Sequence, residues 1–127
     1  MIERISPPGA PSPRGPYSPA VRAGDFIFVS GQGPVDPETD QLSTGDVCHE
    51  TRLVLNNIRR ILAGCGAMMA DVVKCTVFLA DAADFAAMNE VYAEFFGDNK
   101  PARTTVEAKF VAPMHVEIDC VAYKPRQ

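Results

Sequence analysis

Apolar residues recur at intervals of three and four along two stretches of the chain, a spacing that predicts two amphipathic helices. The first helix is predicted to begin after a cap at Ser43 or Thr44 and to end at Gly64 or Gly66. Its buried stripe comprises Val47, Thr51, Val54, Leu55, Ile58, Ile61 and Leu62. The second helix is predicted over residues 82–96 and closed by Gly97, with a stripe of Phe85, Met88, Tyr92, Phe95 and Phe96.

Bulky or alternating residues predict strands before, between and after the helices. A short strand, a turn at residues 23–25 and a strand over residues 26–30 come first, and a loop follows over residues 31–42. One strand, residues 72–79, separates the helices, and strands over residues 103–110 and 115–123 end the chain. This order predicts an α+β fold with one sheet covered by two helices on one face. The Pro/Gly/Ser-rich stretch over residues 6–19 has the composition of a disordered arm.

The two last strands each contain an apolar row, because side chains alternate between the faces of a strand. The rows predicted to pack beneath the helices are Thr104, Val106, Ala108 and Phe110, and Val116, Ile118, Cys120 and Ala122. Arg103 and Glu117 are then predicted to share the opposite face of the sheet. A sheet covered on one face favours a further subunit on the other, so we expect a homo-oligomer with both residues near the interface.

Length and charge narrow the class of protein. A chain of 127 residues with 46% hydrophobic and 22% charged residues predicts one soluble domain spanning residues 1–127. The formal charge of −4, with Arg59–Arg60 as the only adjacent basic pair, disfavours nucleic acid as a partner. No apolar run is long enough to cross a bilayer, and the proline-rich start does not fit a secretion signal. We therefore expect a cytoplasmic protein with no membrane partner.

The sequence contains no familiar cofactor or metal motif. Its four cysteines, Cys48, Cys65, Cys75 and Cys120, are scattered, and we expect Cys75 and Cys120 to be small buried residues of strands. The two histidines are isolated, and there is no glycine-rich phosphate loop or nucleophile elbow. Neither a metal nor an organic cofactor is expected.

Two charged residues stand out as candidate chemistry. Arg103 opens a strand after Pro101 and could hold a carboxylate through two parallel hydrogen bonds, or it could pair with a local acid such as Glu117. A partly buried Glu117 could serve as a general acid or base, or it could be solvated or ion-paired. Residues 30–32 could present backbone N–H groups to an anion or form a plain turn, and Tyr17 could cover a pocket or staple a loop.

Eight segments in order give the chain a specific resemblance over essentially its full length. They are GPYSPA (15–20), FVSGQ (28–32), DP (36–37), NNIRRIL (56–62), VVKCTVFL (72–79), DFAAMNEVYAEFF (84–96), PARTTV (101–106) and VEID (116–119). Through them the sequence resembles the RidA/YjgF/YER057c family. The resemblance implies a chorismate-mutase-like α+β fold with one mixed sheet, and a homotrimer with clefts between subunits. It also implies hydrolysis of 2-aminoacrylate and related enamines and imines to 2-oxoacids and ammonia, the activity of a 2-iminobutanoate/2-iminopropanoate deaminase.

The resemblance also implies a role for particular residues. Arg103 would bind the substrate carboxylate and Glu117 would position or activate water. The remaining pocket positions implied are Tyr17, Ser30, Gly31, Asn89 and Thr105. Three features depart from the family pattern. Thr105 replaces a frequent Cys, and Asp40 stands where a turn Gly is usual, although Asp tolerates left-handed backbone well. Residues 110–113, Phe-Val-Ala-Pro, replace a more typical Leu-Pro turn, which would alter a pocket rim and not the chemistry.

Other functions stay open on sequence alone. The same cleft could belong to a non-catalytic module that binds 2-oxoacids, or to a dedicated deaminase of a larger substrate such as an aminomuconate. An endoribonuclease or translation inhibitor is a further alternative, which the acidic charge disfavours.

Overall fold

The computed structural model describes residues 1–126 and contains eight strands and two α-helices. The strands are β1 (Ile2–Ile5), β2 (Ala20–Ala23), β3 (Phe26–Gln32), β4 (Val35–Asp36), β5 (Gln41–Leu42), β6 (Val72–Leu79), β7 (Ala102–Glu107) and β8 (Val116–Tyr123). The helices are α1 (Val47–Gly64) and α2 (Phe85–Phe96), and short 3₁₀ helices at Met69–Asp71 and Ala82–Asp84 precede β6 and α2.

Six strands form one mixed sheet in the order β1-β2-β3-β8-β6-β7. All neighbouring pairs are antiparallel except β6 and β7, which are parallel and are connected through α2. Both helices lie on the same face, so the predicted α+β layout is confirmed. The strand that carries Arg103, β7, is an edge strand of this sheet.

The core lies between this sheet and the two helices. On β8, the residues Val116, Ile118, Cys120 and Ala122 are all buried beneath the helices, as the alternation predicted. The α1 stripe is buried against them, and Cys75 and Cys120 are buried free thiols on neighbouring strands. Each large apolar side chain buried here stabilises the fold by about 1.5–3 kcal/mol before the loss of chain entropy is counted.

The helix boundaries differ from the prediction at their N-termini. Asp46 caps α1, and its side chain accepts the His49 backbone N–H at 2.8 Å, so the predicted cap at Ser43 or Thr44 was wrong. Such a cap is worth about 1 kcal/mol. The predicted C-terminal signals are confirmed, since Gly66 and Gly97 follow the two helices with φ angles of 79° and 53°.

The predicted face of β7 was wrong. Arg103 lies opposite Cys75 of β6, and Cys75 in turn lies opposite the buried Cys120 of β8. Directly paired residues point to the same side of a sheet, so Arg103 points to the helix side. Thr104 and Val106 instead lie on the open face, and the strand ends at Glu107, before the predicted Ala108 and Phe110. As an edge strand, β7 takes its register from β6, which its own sequence does not encode.

The N-terminal arm and the long loop are more ordered than their composition suggests. β1 pairs with β2, and buried prolines at positions 7, 11 and 19 tie residues 6–19 to the fold, so the expected disordered arm is not seen. The loop after β3 contains the β4–β5 ladder, with Asp40 at a φ of 61°, the left-handed backbone expected at this turn.

The face of the sheet away from the helices is open and largely apolar. Exposed side chains on it include Phe26, Phe28, Val106 and Tyr123, with 42–47% of each accessible. Exposed apolar patches of this kind mark surfaces that bind other proteins. Within residues 1–126, neither helix combines the length and apolar character that a bilayer crossing requires.

Candidate active site

Four of the seven predicted site residues line one cavity, which we call the glutamate cleft. Tyr17, Ser30, Gly31 and Glu117 surround a volume of about 420 Å³. The rest of its wall is mainly apolar and includes Val35, Leu42, Val111 and Met114. The cleft therefore combines one carboxyl group with an apolar surround, a frequent composition of small-molecule sites.

A bulge in β3 forms the floor of the glutamate cleft. Val29 pairs with Cys120 and Gln32 with Ile118, so Ser30 and Gly31 together stand opposite the single residue Asp119. Bulges of this kind occur beside active sites because they re-aim the chain. The Ser30 hydroxyl donates to the Ser18 carbonyl oxygen at 2.7 Å, which anchors the bulge to the preceding loop.

The Glu117 carboxyl group is half-buried against this bulge. Burial raises its pKa above the ordinary value, and the negative charge of Asp119 raises it further. A carboxyl group with a raised pKa exchanges protons nearer neutrality, which suits a general acid or base. Tyr17 lies at the side of the cleft, where its hydroxyl accepts the Arg14 backbone N–H at 3.0 Å.

A second concave site, the arginine groove, lies on the helix side between α2 and β7. Asn89, Tyr92 and Arg103 line it, together with Ala93, Phe96, Lys100 and Pro101, around a volume of about 350 Å³. The Arg103 guanidinium carbon lies 4.8 Å from the ring centre of Tyr92 and 5.5 Å from that of Phe85. Contacts with the faces of aromatic rings stabilise the charge and leave N–H donors available for a ligand.

Arg103 is not neutralised within the chain. The ion pairs seen across residues 1–126 join Arg52 to Glu94, His115 to Glu50, Lys124 to Asp71 and Arg126 to Glu3, and none involves Arg103. The alternative in which Arg103 simply pairs with Glu117 is therefore not seen in the described chain. Its guanidinium is available for an external carboxylate.

Buried polar atoms beside Arg103 also lack partners. Across residues 1–126, Asn89 Oδ1 and the Tyr92 hydroxyl are buried without a hydrogen-bond partner, and the Tyr92 hydroxyl has only the weakly accepting Cys75 thiol beside it. Burial raises the pKa of Tyr92, so its hydroxyl stays protonated. Unsatisfied buried groups are costly, and a bound ligand would relieve them.

The structure brings the predicted residues together in two groups rather than one. Asn89 and Arg103 share the arginine groove, and Thr105 lies on the same side of the sheet two residues along β7 but lines neither cavity. Glu117 pairs with Phe78 and Arg103 with Cys75, which places the two charged residues on opposite faces of the sheet. Sequence reasoning missed Phe85 and Tyr92 as neighbours of Arg103, because their helical spacing identified them only as core residues.

Comparison with known proteins identifies the family. Residues 8–124 match the Endoribonuclease L-PSP family, and the chain belongs to this family, to which the RidA/YjgF proteins also belong. A RutC family protein of Pyrococcus horikoshii is 50% identical over 98% of this chain and 99% of its own length. The 3-aminoacrylate deaminase RutC of Acinetobacter baylyi is 42% identical over 95% of this chain and 97% of its own.

One further relative and one solved structure complete the comparison. The chloroplastic Reactive Intermediate Deaminase A of Arabidopsis thaliana is 40% identical over 94% of this chain and 65% of its own length. The crystal structure of a putative endoribonuclease from Thermotoga maritima covers 99% of this chain with a TM-score of 0.94 at 41% identity, and the alignment spans all of that chain. The family thus includes proteins named as deaminases and proteins named as nucleases.

Proposed function

We propose that the protein hydrolyses reactive enamine and imine acids, such as 2-aminoacrylate, to 2-oxoacids and ammonia without a cofactor. The sites would lie between the subunits of a cytoplasmic homotrimer with the chorismate-mutase-like arrangement. Each site would combine the arginine groove of one chain with the glutamate cleft of its neighbour. Relatives named as deaminases support the reaction class.

One observation carries this proposal: the two groups that the reaction requires, Arg103 and Glu117, lie on opposite faces of the sheet of each chain. In the arginine groove lies a guanidinium that can bind a carboxylate, with buried polar neighbours that lack hydrogen-bond partners. In the glutamate cleft lies a carboxyl group with a raised pKa. Because Arg103 and Glu117 point to opposite faces, a site containing both needs a second copy of the chain. The open apolar face and the edge strand β7 are surfaces through which that copy could attach.

The proposed chemistry needs only these groups. Arg103 would hold the substrate carboxylate, and the protonated Glu117 would deliver a proton to C3 of 2-aminoacrylate, giving 2-iminopropanoate. The Glu117 carboxylate would then accept a proton from water as the water oxygen bonds to C2. Glu117 returns this proton to the nitrogen of the adduct, and as the C–N bond breaks its carboxylate takes the proton of the new hydroxyl group, which releases pyruvate and ammonia and restores protonated Glu117. Tyr17, Ser30, Gly31, Asn89 and Thr105 would line the substrate, and no metal takes part.

The activity test generates 2-aminoacrylate with a serine dehydratase and follows its decay with and without the protein. Wild type should accelerate the decay, and Arg103→Ala should not. Arg103→Lys is the matched control for charge, and we expect it to be badly impaired because an ammonium group cannot make the paired hydrogen bonds of a guanidinium. Equal rates for wild type and Arg103→Ala would rule out the proposed function.

The shared site has its own test, which mixes two inactive variants. Arg103→Ala and Glu117→Gln are each expected to be inactive alone. Unfolded together and refolded, they should regain about a quarter of wild-type activity, since random assembly places an intact arginine beside an intact glutamate at that fraction of interfaces. The control mixes the double variant, Arg103→Ala with Glu117→Gln, with either single variant. No interface in such a mixture can hold both an intact arginine and an intact glutamate, so no activity should return. Absence of recovery in correctly assembled mixtures would exclude a site shared between chains.

The remaining alternatives give distinct outcomes in the same assays. A 2-oxoacid-binding module would bind pyruvate saturably without accelerating decay of 2-aminoacrylate. A dedicated deaminase of a larger substrate would prefer long imino acids over 2-iminopropanoate. A ribonuclease would cleave RNA, and cleavage that survives loss of both Arg103 and Glu117 would belong to another site or a contaminant.

A further inference from the structure

A buried carboxylate outside the proposed reaction ties together the chain segments around the glutamate cleft. Glu50, in the first turn of α1, has no solvent exposure. Its Oε1 accepts the backbone N–H of His115 at 2.6 Å, and its Oε2 accepts the backbone N–H of Gly45 at 3.1 Å. Oε2 also accepts from His115 Nδ1 at 2.5 Å. Three donors from two separate segments therefore converge on one carboxylate.

Both of those segments contribute to the cleft. Leu42 and Met114 both line the cleft wall. Gly45 lies three residues after Leu42, and His115 is the residue directly after Met114. His115 also precedes β8, where its carbonyl oxygen accepts the Ala80 backbone N–H at 2.9 Å. Glu117 is two residues further along β8, so the contacts of Glu50 fix the start of the strand that carries it.

We propose that Glu50 and His115 are a positioning pair for Glu117. The contact between Glu50 and protonated His115 holds the cleft wall and the start of β8 in the arrangement that deamination requires. This proposal rests on the proposed function, since Glu117 acts in that reaction. Neither residue touches the substrate in it. Their effect passes through the backbone of residues 114–117 to the Glu117 carboxyl group.

The pair responds to pH because His115 reaches solvent and Glu50 does not. The His115 side chain is 45% exposed, whereas the Glu50 side chain is fully buried. The hydrogen bond to Glu50 raises the pKa of His115 above its usual value of 6.5, against the opposing effect of desolvation. The charges of Glu50, Asp84 before α2 and Asp46 at the start of α1 also raise this pKa.

The sign of the response follows from this shift. A raised histidine pKa means that the protonated contact is complete below the usual value and is lost as pH rises through the raised one. Above that pH, His115 carries no charge and the buried Glu50 side chain is contacted only by neutral donors, an arrangement that is weaker than a charge-assisted contact. The proposal therefore expects kcat/KM to decline on the alkaline side as His115 loses its proton.

The test compares pH profiles of kcat/KM for wild type and three variants with 2-iminopropanoate as the substrate, because its hydrolysis uses the ionised Glu117 and an alkaline decline then does not report Glu117. Glu50→Gln should move the alkaline decline to lower pH, toward the usual histidine value. His115→Gln should abolish this titration, and His115→Lys should move it to higher pH, because a lysine keeps its charge to about pH 10. The matched control is His49→Gln, the only other histidine, which bonds to Ser43 instead of Glu50 and should leave the decline in place.

A second measurement separates this proposal from the proposed function. In an NMR pH titration of wild type, the chemical shifts of the Met114 methyl and Glu117 amide signals should change over the same pH range as those of the His115 ring. In His115→Gln, the Met114 and Glu117 signals should show no change over that range. This outcome requires no catalysis, so it stands even if no deaminase activity is found. The proposal is overturned if those signals ignore His115, or if an active, folded Glu50→Gln or His115→Lys variant keeps the wild-type pH profile.

Discussion

A Cβ atom added to Gly31 would lie 2.5 Å from Oε2 of Glu117 and 2.9 Å from its carboxyl carbon. Glycine at this position is therefore what lets the carboxyl group rest on the β3 bulge. A Cβ atom cannot approach nonbonded oxygen or carbon atoms this closely, so any larger residue must displace the Glu117 side chain. The two residues are 86 positions apart in sequence and are brought together by the pairing of β3 with β8.

Gly31→Ala is expected to lower kcat/KM by about 100-fold, because a displacement of about 1 Å at a reacting group has that cost. The measurement is the steady-state rate with enzymatically generated 2-aminoacrylate, with thermal unfolding recorded alongside. Gly64→Ala is the matched control, since its Cβ would clash with the Pro7 ring and neither Gly64 nor Pro7 lines the glutamate cleft. If Gly31→Ala keeps wild-type activity, the position of the Glu117 carboxyl group is not required.

Phe85→Leu is expected to raise KM about 2–5-fold with little change in kcat, because one face of the Arg103 guanidinium loses its aromatic neighbour. Phe85 is partly exposed, so folding should be little affected. Phe85→Tyr preserves an aromatic face and should keep the wild-type KM. Equal KM values for the leucine and tyrosine variants would show that this contact does not orient Arg103.

Asp119→Asn is expected to move the acid limb of the kcat/KM profile to lower pH. With 2-iminopropanoate as the substrate, which enters the proposed reaction after the proton has reached C3, Glu117 must be ionised to accept a proton from water, so kcat/KM falls as pH drops through the raised pKa of Glu117. Removing the neighbouring negative charge lowers that pKa, and the limb follows it. Glu94→Gln disrupts only the distant surface ion pair with Arg52 and serves as the control. An acid limb shared by all three proteins would mean that it does not report Glu117.

Phe28→Glu is expected to dissociate the proposed trimer and to abolish activity together with assembly. Phe28 lies on the open face of the sheet and is 47% exposed, so a charge there would be buried without a partner if another chain covered that face. Light scattering after size-exclusion chromatography reports the mass directly. Met68→Glu, at an exposed apolar residue before β6, should leave the mass unchanged. A trimeric Phe28→Glu variant would place the contact elsewhere.

The sequence predicted the elements and the buried face of β8 well, because long periodic runs of apolar residues encode them. It failed on β7 for a physical reason. The strand is short, lies at the edge of the sheet and leaves Val106 exposed, so its apolar residues do not reveal which face is buried. Only its register with β6 sets the direction of Arg103, and register between separate strands is a property of the folded sheet.

The candidate residues were predicted mainly through the family resemblance, whereas their grouping was not. Residue types alone left Arg103 and Glu117 open to structural interpretations. Glu50 did carry a signal that was overlooked, since it falls three residues after Val47 and four before Val54, on the buried stripe of α1. A carboxylate at such a position must find donors, and the periodicity could have predicted its burial but not its partners.

Arg103 and Glu117 lie on opposite faces of the sheet, and this arrangement has a consequence for an enzyme that is present at low concentration. An isolated chain would contain every residue that the reaction requires and yet have no complete active site. Specific activity would then depend on how much protein is present, falling upon dilution below the dissociation constant of the assembly and returning on concentration. Cellular abundance would in this way set the rate per molecule as well as the number of molecules.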